Sequence, residues 1–290
     1  MSISAFYYID KPIWFTSFDV LRVLRKKLNM RKMWHTWTLD PLATGGLLVA
    51  VWNYTKLIPY FEKDQKEYEF IVNLDWVTDS YDSETPVTYL SQEKQEKFQI
   101  EYSQEKLEKI LQEKFSWNIE QIPPKYSALK INGKKALDKV RAGDDFEMKI
   151  RKATIFEIEV LSYNYPELKV RARVSAGTYI RSIAFDLWEL LGTGWYITYL
   201  RRTFIANLDV KDAQLLDDFD EQKIFSTEEL FSNMKIAKLD DKTLEKINNW
   251  LPVNDKNFPY DDGEYFVTEG ELITNIISYE KPIIKAKRKI

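Results

Sequence analysis

Asp40 is the residue of this chain best placed by its neighbours to do chemistry. It stands in WHTWTLDPLATGG, residues 34–46, where small hydroxyl residues, an Asp-Pro step and a Gly pair describe a tight loop presenting a carboxylate. The chain has no Cys and a single His, His35, five residues upstream. Disulfides, Cys-based zinc sites, thiol nucleophiles and multi-histidine metal sites are therefore excluded, and His35 is the only imidazole a serine nucleophile could use. Catalysis falls to Asp, Glu, Lys, Arg, Tyr or Ser. An Asp before Pro is by default a turn residue, so a wider constellation must decide whether Asp40 reacts.

The elements that would hold such a loop can be read from hydropathy. TSFDVLRVLRKKLN opens with hydroxyl residues suited to an N-cap and spaces Phe18, Leu21, Leu24 and Leu28 at helical intervals. GGLLVAV and KEYEFIVNL read as strands, the second alternating around Tyr68, Phe70 and Val72. SQEKLEKILQEKF is an amphipathic helix with a charged face. ELKVRARVSAGTYIRSIAFDLWELL reads as an alternating strand, a Ser-Ala-Gly turn and a helix carrying Ile183, Leu187 and Leu190. Between these, PPKYSALKINGKKALDKVRAG carries an Asn132–Gly133 turn and the cations Lys125, Lys130, Lys134, Lys135, Lys139 and Arg141 against Asp138. Two readings stand for it: a solvated lysine-rich face, or an insertion that grips RNA phosphates.

After YLRRTF the chain turns acidic and loop-like at KDAQLLDDFDEQ, residues 211–222, as a linker would. Short helices at STEELF and DKTLEKINN precede EYFVTEGELITNIISYE, a hairpin turning at Glu269–Gly270, and the basic end KAKRKI. These form a small β-rich terminal module. No apolar run exceeds LLVAVW, too short to span a bilayer, and no basic, apolar leader opens the chain, so the expectation is a cytoplasmic protein with no membrane partner. The formal net charge of −3 gives no global pull on nucleic acid, so such a partner needs a local basic surface.

Six blocks, DKPIWFTSFDVL, RKMWHTWTLDPLATGGLLVAV, DQKEYEF, QIPPKYSALKINGKKA, VSAGTYIRSIAFDL and YLRR, resemble in this order the bacterial tRNA pseudouridine-55 synthases of the TruB type, over about residues 5–205. The resemblance implies an α+β pseudouridine synthase fold: a mixed, mainly antiparallel sheet with flanking helices, an inserted thumb and a small C-terminal PUA-like module. It implies a catalytic domain over 1–212 with the thumb at about 121–152, a linker over 213–234 and the PUA-like module over 235–290.

The same resemblance makes Asp40 the nucleophile, sets Arg181 of GTYIRS against its carboxylate and stacks Tyr68 of KEYEF on the target uracil. Tyr179 and Leu200 line the uridine pocket, and His35 supports the opened RNA loop. The thumb cations Lys125, Lys130, Lys134, Lys135, Lys139 and Arg141 contact RNA together with Arg201 and Arg202, while Lys11 and Pro12 form a structural motif beside the site. An Arg facing the nucleophile favours an ionised carboxylate at neutral pH.

The implied reaction isomerises a uridine in the tRNA T loop without metal, redox or nucleotide cofactor, by a monomer with no obligatory protein partner. Whether Asp40 attacks C6 of the ring or C1′ of the sugar, or deprotonates the sugar, stays open, and Tyr68 is a candidate to remove the C5 proton. A non-catalytic tRNA-binding or folding protein is the alternative, and a guide-RNA-dependent synthase with partner proteins is a third reading.

The tryptophans depart from this pattern. Gly and Trp each number 9 of 290, so glycine stands at about 3% against a usual ~7%. Trp adjoins Asn or Asp in VWNYTK, SWNIEQ, NNWLPV and LDWVTD, and sits in the glycine turn GTGWYI, as turn glycines do. The family usually has glycine where this chain has Trp14, Trp34, Trp37, Trp52, Trp76, Trp117, Trp188 and Trp195, and Trp250 falls at a turn. The pattern is that of a gene in which UGA means glycine, translated as though it meant tryptophan. The abundance of Lys, Ile, Asn and Tyr suits an AT-rich genome.

Overall fold

The computed structural model describes residues 4–61, 65–82, 88–89, 91–127, 129–192, 195–231, 234–270 and 272–290. The backbone of the large sheet is built from β1 (Ala5–Lys11), β3 (Thr44–Val51), β4 (Lys66–Asn73), β5 (Trp117–Gln121), β6 (Arg151–Asn164), β7 (Glu167–Val174), β8 (Trp195–Ile205) and β9 (Gln214–Leu215). Their order is β9-β1-β3-β8-β4-β7-β6-β5, with the short β2 (Met33–His35) on β3. Neighbours run antiparallel except β1 with β9 and β3 with β8, so the sheet is mixed and mainly antiparallel, as expected.

Alternation decides which face is buried. In β4, Tyr68, Phe70 and Val72 point to one side, and the matching residues of β7, Leu168, Val170 and Ala172, pack beside them. Helix α2 (Gln104–Lys114) covers this layer with Leu107 and Leu111, and α3 (Ile180–Leu191) with Ile183, Ala184 and Leu187. Leu191, not Leu190, completes the buried stripe of α3; Leu190 remains 44% exposed. Helix α1 (Ser17–Lys27) starts at Thr16, whose side chain accepts from the Asp19 amide while the Asp19 carboxylate accepts from the Thr16 amide. That reciprocal cap fixes where the chain leaves β1. A run of 3-10 helix over Trp52–Phe61, absent from the hydropathy reading, follows β3.

The basic segment lies between β5 and β6, whose ends pair at Gln121 and Arg151, so it is an insertion between adjacent strands. Within it Asn132 and Gly133, both at positive φ, turn a two-stranded hairpin of Lys130–Ile131 with Lys134–Lys135, and a short helix spans Ala136–Arg141. The C-terminal sheet orders Ile236–Ala237, β10 (Gly263–Glu269), β11 (Leu272–Glu280), β12 (Ile283–Lys289) and Val253–Asn254, with α4 (Asp241–Asn248) packed on it.

The segment over 213–234 is not a loose tether. Gln214 and Leu215 pair with Ile9 and Asp10, the Phe225 amide donates to the Phe6 carbonyl, and Leu230 and Phe231 enter a core shared with Phe6, Phe61, Phe266 and Ile276. That core joins both sheets. No helix among the described residues is long and apolar enough to cross a membrane.

Five tryptophans among the described residues hold positive φ: Trp14 (65°), Trp37 (41°), Trp52 (55°), Trp117 (61°) and Trp250 (60°). A Cβ in this region crowds the following carbonyl and costs roughly 1–2 kcal/mol per residue. Trp250 is the clearest case. Its amide donates to the Ile247 carbonyl and the Leu251 amide to that of Lys246, the paired bonds of a Schellman motif whose left-handed residue is usually glycine.

Candidate active site

The loop carrying Asp40 is pinned on both sides. Before it, the Leu39 amide donates to Ser17 Oγ of α1 (2.9 Å) and Ser17 Oγ donates to the Leu39 carbonyl (3.2 Å). After it, the Pro41 carbonyl accepts from the Trp14 amide (2.8 Å) and from Lys11 Nζ (3.2 Å), which also donates to the carbonyls of Pro12 and Phe15. Lys11 is fully buried, and that burial lowers its pKa to about 8, against the opposing pull of the Asp40 charge. The Gly pair closes the loop against its neighbours. A Cβ on Gly45 would lie 2.2 Å from the Arg202 carbonyl oxygen, and one on Gly46 1.9 Å from the Tyr8 hydroxyl.

Helix α3 brings Arg181 to this loop. Arg181 Nη2 donates to Asp40 Oδ1 at 3.0 Å, and its Nε lies 3.0 Å from Oδ2. The Arg181 side chain is buried at 6% exposure while that of Asp40 keeps 36%, so the carboxylate faces both its cation and open space. That space is a cavity of about 490 Å³ lined by Asp40, Tyr68, Tyr179, Arg181 and Leu200, with Lys130 and Trp37 at its wall. Its size falls within the range that holds a small ligand. Burial raises the Tyr179 phenol above its ordinary pKa, so it stays protonated at neutral pH.

Other sequence-derived residues stand elsewhere. His35 lies on β2 outside the cavity lining, its ring stacked on Trp34 at 5.6 Å; burial lowers its pKa, which favours the neutral imidazole. Lys125, Lys134, Lys135 and Arg141 are exposed on the insertion, whereas Lys139 turns to Asp144 at 3.3 Å and to the Phe146 ring.

The two arginines of YLRR, expected at RNA, are committed inside the protein. Arg202 is fully buried, with Nε donating to the Gly46 carbonyl at 2.7 Å and Nη1 and Nη2 to that of Trp37 at 3.1 Å. A guanidinium so enclosed braces the loop that carries Asp40 and cannot reach a phosphate. Arg201 forms a fork on the Asp10 carboxylate, with Nη1 donating to Oδ1 (3.0 Å) and Nη2 to Oδ2 (2.5 Å), so its charge is matched within the fold. Sequence reasoning missed Lys66, which is buried, lines the cavity and places Nζ 4.3 Å from the centre of the Trp37 ring. The alternation of β4 carried the signal, since Lys66 stands two residues before Tyr68 and faces the same way.

Chemically, the site offers a carboxylate held by a bidentate cation, an aromatic wall and room for a small ligand. Sheet, insertion and cavity together define a pseudouridine synthase fold. The sequence model of the TruB family pseudouridylate synthase, N-terminal domain, matches residues 25–180, and the chain belongs to that family. Proteins called tRNA pseudouridine synthase B are its relatives. That of Clostridium tetani is 34% identical, over 86% of this chain and 85% of its own length. That of Mycoplasma capricolum is 33% identical over 99% and 97%, and that of Endomicrobium trichonymphae 42% identical over 76% and 92%. Among solved structures, a chain of a Cbf5-Nop10-Gar1 complex shares the fold with a TM-score of 0.66 at 20% identity, covering 99% of this chain and 84% of that one.

Proposed function

We propose that this chain isomerises the T-loop uridine at position 55 of tRNA, with Asp40 as the reacting carboxylate. Conversion of a tRNA uridine to pseudouridine is the activity named for its relatives over most of their length and the activity of this chain. The observation that carries the site reading is the Asp40–Arg181 pair opening into a cavity shared with Tyr68, Tyr179 and Leu200. The reaction breaks the N1–C1′ bond, turns the uracil and joins C5 to C1′; a base removes the C5 proton while N1 takes one up, so the net change is an isomerisation. The target must leave its stack at a cost of a few kcal/mol, offset by contacts in the pocket. Tyr68 supplies the stacking face. Arg181 orients the Asp40 carboxylate, Tyr179 and Leu200 bound the nucleotide, and His35 supports the loop from β2. Lys125, Lys130, Lys134, Lys135 and Arg141 meet phosphates.

In this reading residues 1–212 are the catalytic domain and 235–290 the PUA-like module, and a cytoplasmic monomer acts on tRNA alone, without cofactor or protein partner. The test mixes the protein with an unmodified T stem-loop and no other macromolecule. Pseudouridine forms with the parent, and Asp40→Asn binds the RNA but does not turn it over. Wild-type turnover by that variant would sink the assignment.

We infer, too, that the nine tryptophans stand for glycines of the native protein. Supporting this are the five positive φ values, the Schellman position of Trp250, and exposures of 53–70% at Trp14, Trp34, Trp117 and Trp250, unusual for so apolar a residue. Trp37, in the cavity wall, is the observation that favours the non-catalytic alternative should the tryptophans be real. The mass of the native peptide spanning residues 33–40, taken with activity of the same sample, decides: two glycines with turnover support both inferences, two tryptophans without turnover support the binder.

A further inference from the structure

Gln121, the last residue of β5, is 2% exposed and uses both ends of its side chain on one peptide unit. Its Nε2 donates to the Tyr179 carbonyl at 3.2 Å, and its Oε1 accepts from the Tyr179 amide at 3.1 Å. A side-chain amide here makes the pair of bonds that a neighbouring strand would make. Tyr179 is the N-cap of α3 and has no side-chain cap of its own, so Gln121 supplies the local order at this helix start.

Two more bonds tie the same turn to the stem of the insertion. Ser182 Oγ donates to the Ile122 carbonyl at 2.8 Å, and Arg181 Nη2 donates to the Tyr126 carbonyl at 2.9 Å. The side chains that bound the cavity from α3 thus hang on the segment that enters the insertion. Gln121 is the only one of these links that fixes a backbone unit from both sides, and a bidentate contact permits one orientation.

We propose that Gln121 is a positioning residue for the uridine site, setting the Tyr179 peptide and through it the aim of the Tyr179 ring and the Arg181 fork. The inference rests on the function proposed above and names a residue that touches neither Asp40 nor the cavity.

A conservative variant supplies the test. In Gln121→Glu a protonated side chain presents one O–H donor and one carbonyl acceptor, the pattern of the amide, while the ionised form presents acceptors only and faces the Tyr179 carbonyl with a charge. Turnover of a T stem-loop is followed from pH 5 to 9, about the range in which a buried carboxyl titrates, with near-ultraviolet circular dichroism at each pH to certify the fold. We expect kcat of Gln121→Glu to match the parent at the acid end and to fall tenfold or more relative to it as pH rises, with KM within threefold. Gln121→Ala, folded, should be low in kcat at every pH.

An active parent whose pH profile the Glu variant reproduces would overturn this inference alone, as would a rise in KM with kcat intact. A parent inert on the T stem-loop would overturn the proposed function and this inference with it.

Discussion

At the scale of single residues, the two arginines of YLRR separate what charge suggests from what packing enforces. In sequence, adjacent arginines look like a phosphate contact; strand parity puts Arg202 on the face of Leu200, toward the interior, and there its donors meet the carbonyls of Gly46 and Trp37. Removing it takes the guanidinium donors from both buried carbonyls, so Arg202→Met should lower stability by about 3 kcal/mol. The slope of log binding constant against log salt should stay as in the parent, because no phosphate contact is lost. Urea unfolding and filter binding across salt concentrations read the two effects.

Lys11 gives a pH signature. Its folded pKa, about 8, lies below its ordinary 10.5 because burial penalises the ammonium. Below pH 8 both folded and unfolded chains hold the proton. Between about 8 and 10.5 the unfolded chain keeps a proton that the folded chain has released, so this group's contribution to stability rises with pH across that window. Urea midpoints at the two ends should show the increment in the parent and lose it in Lys11→Met. Asp40 was marked by a loop that matches a family; Gln121 opens the matched block QIPPKYSALKINGKKA, but nothing in a run of residues shows that its amide clamps the distant Tyr179 peptide.

At the scale of elements, the legible parts were those with strong periods and caps. The opening hydroxyl residues and the helical spacing after them announced α1, and the alternation of Tyr68, Phe70 and Val72 announced β4. The 3-10 run over Trp52–Phe61 gave no such signal, because it includes Pro59 and no amphipathic spacing separates it from a turn. In α3 the sequence reading named Leu190, and packing against the sheet buries Leu191 instead.

The exposed lysines of the inserted hairpin set a prediction here. Replacing Lys134 and Lys135 together by Ala should weaken tRNA binding and reduce the salt slope by about 2, roughly one per phosphate contact, with kcat of the bound complex unchanged. Equal slopes would place the hairpin away from RNA. The helix end at Trp250 gives another. Trp250→Gly should raise the thermal midpoint, gaining roughly 1–2 kcal/mol by relieving a left-handed backbone. A loss of stability would mean that the ring contributes packing that its 58% exposure does not suggest.

At the scale of the molecule, the sequence suggested a catalytic body, an acidic tether and a separate module. The packing of these segments on one another was not legible, because contacts between distant aromatic residues leave no local pattern. Phe6 of β1 and Phe231 stand 5.9 Å apart, and Phe231 and Phe266 5.0 Å, so one row of rings runs from the first sheet through the 213–234 segment into the second. Calorimetry should therefore give one cooperative transition for the full chain. A chain ending at residue 212 should melt well below it or aggregate, since Phe6 and Phe61 would lose their cover. Two resolved transitions would show the shared core to be weak.

That row of rings also bears on how such a chain can be altered. A terminal piece held by a polar tether can be exchanged for another as a cassette, whereas here a graft would have to bring aromatic residues at the places of Phe266 and Ile276 and keep the path by which Phe225 reaches Phe6. The boundary at which this protein can be cut and rejoined is thus set by a buried seam and not by the acidic stretch that looks like a joint.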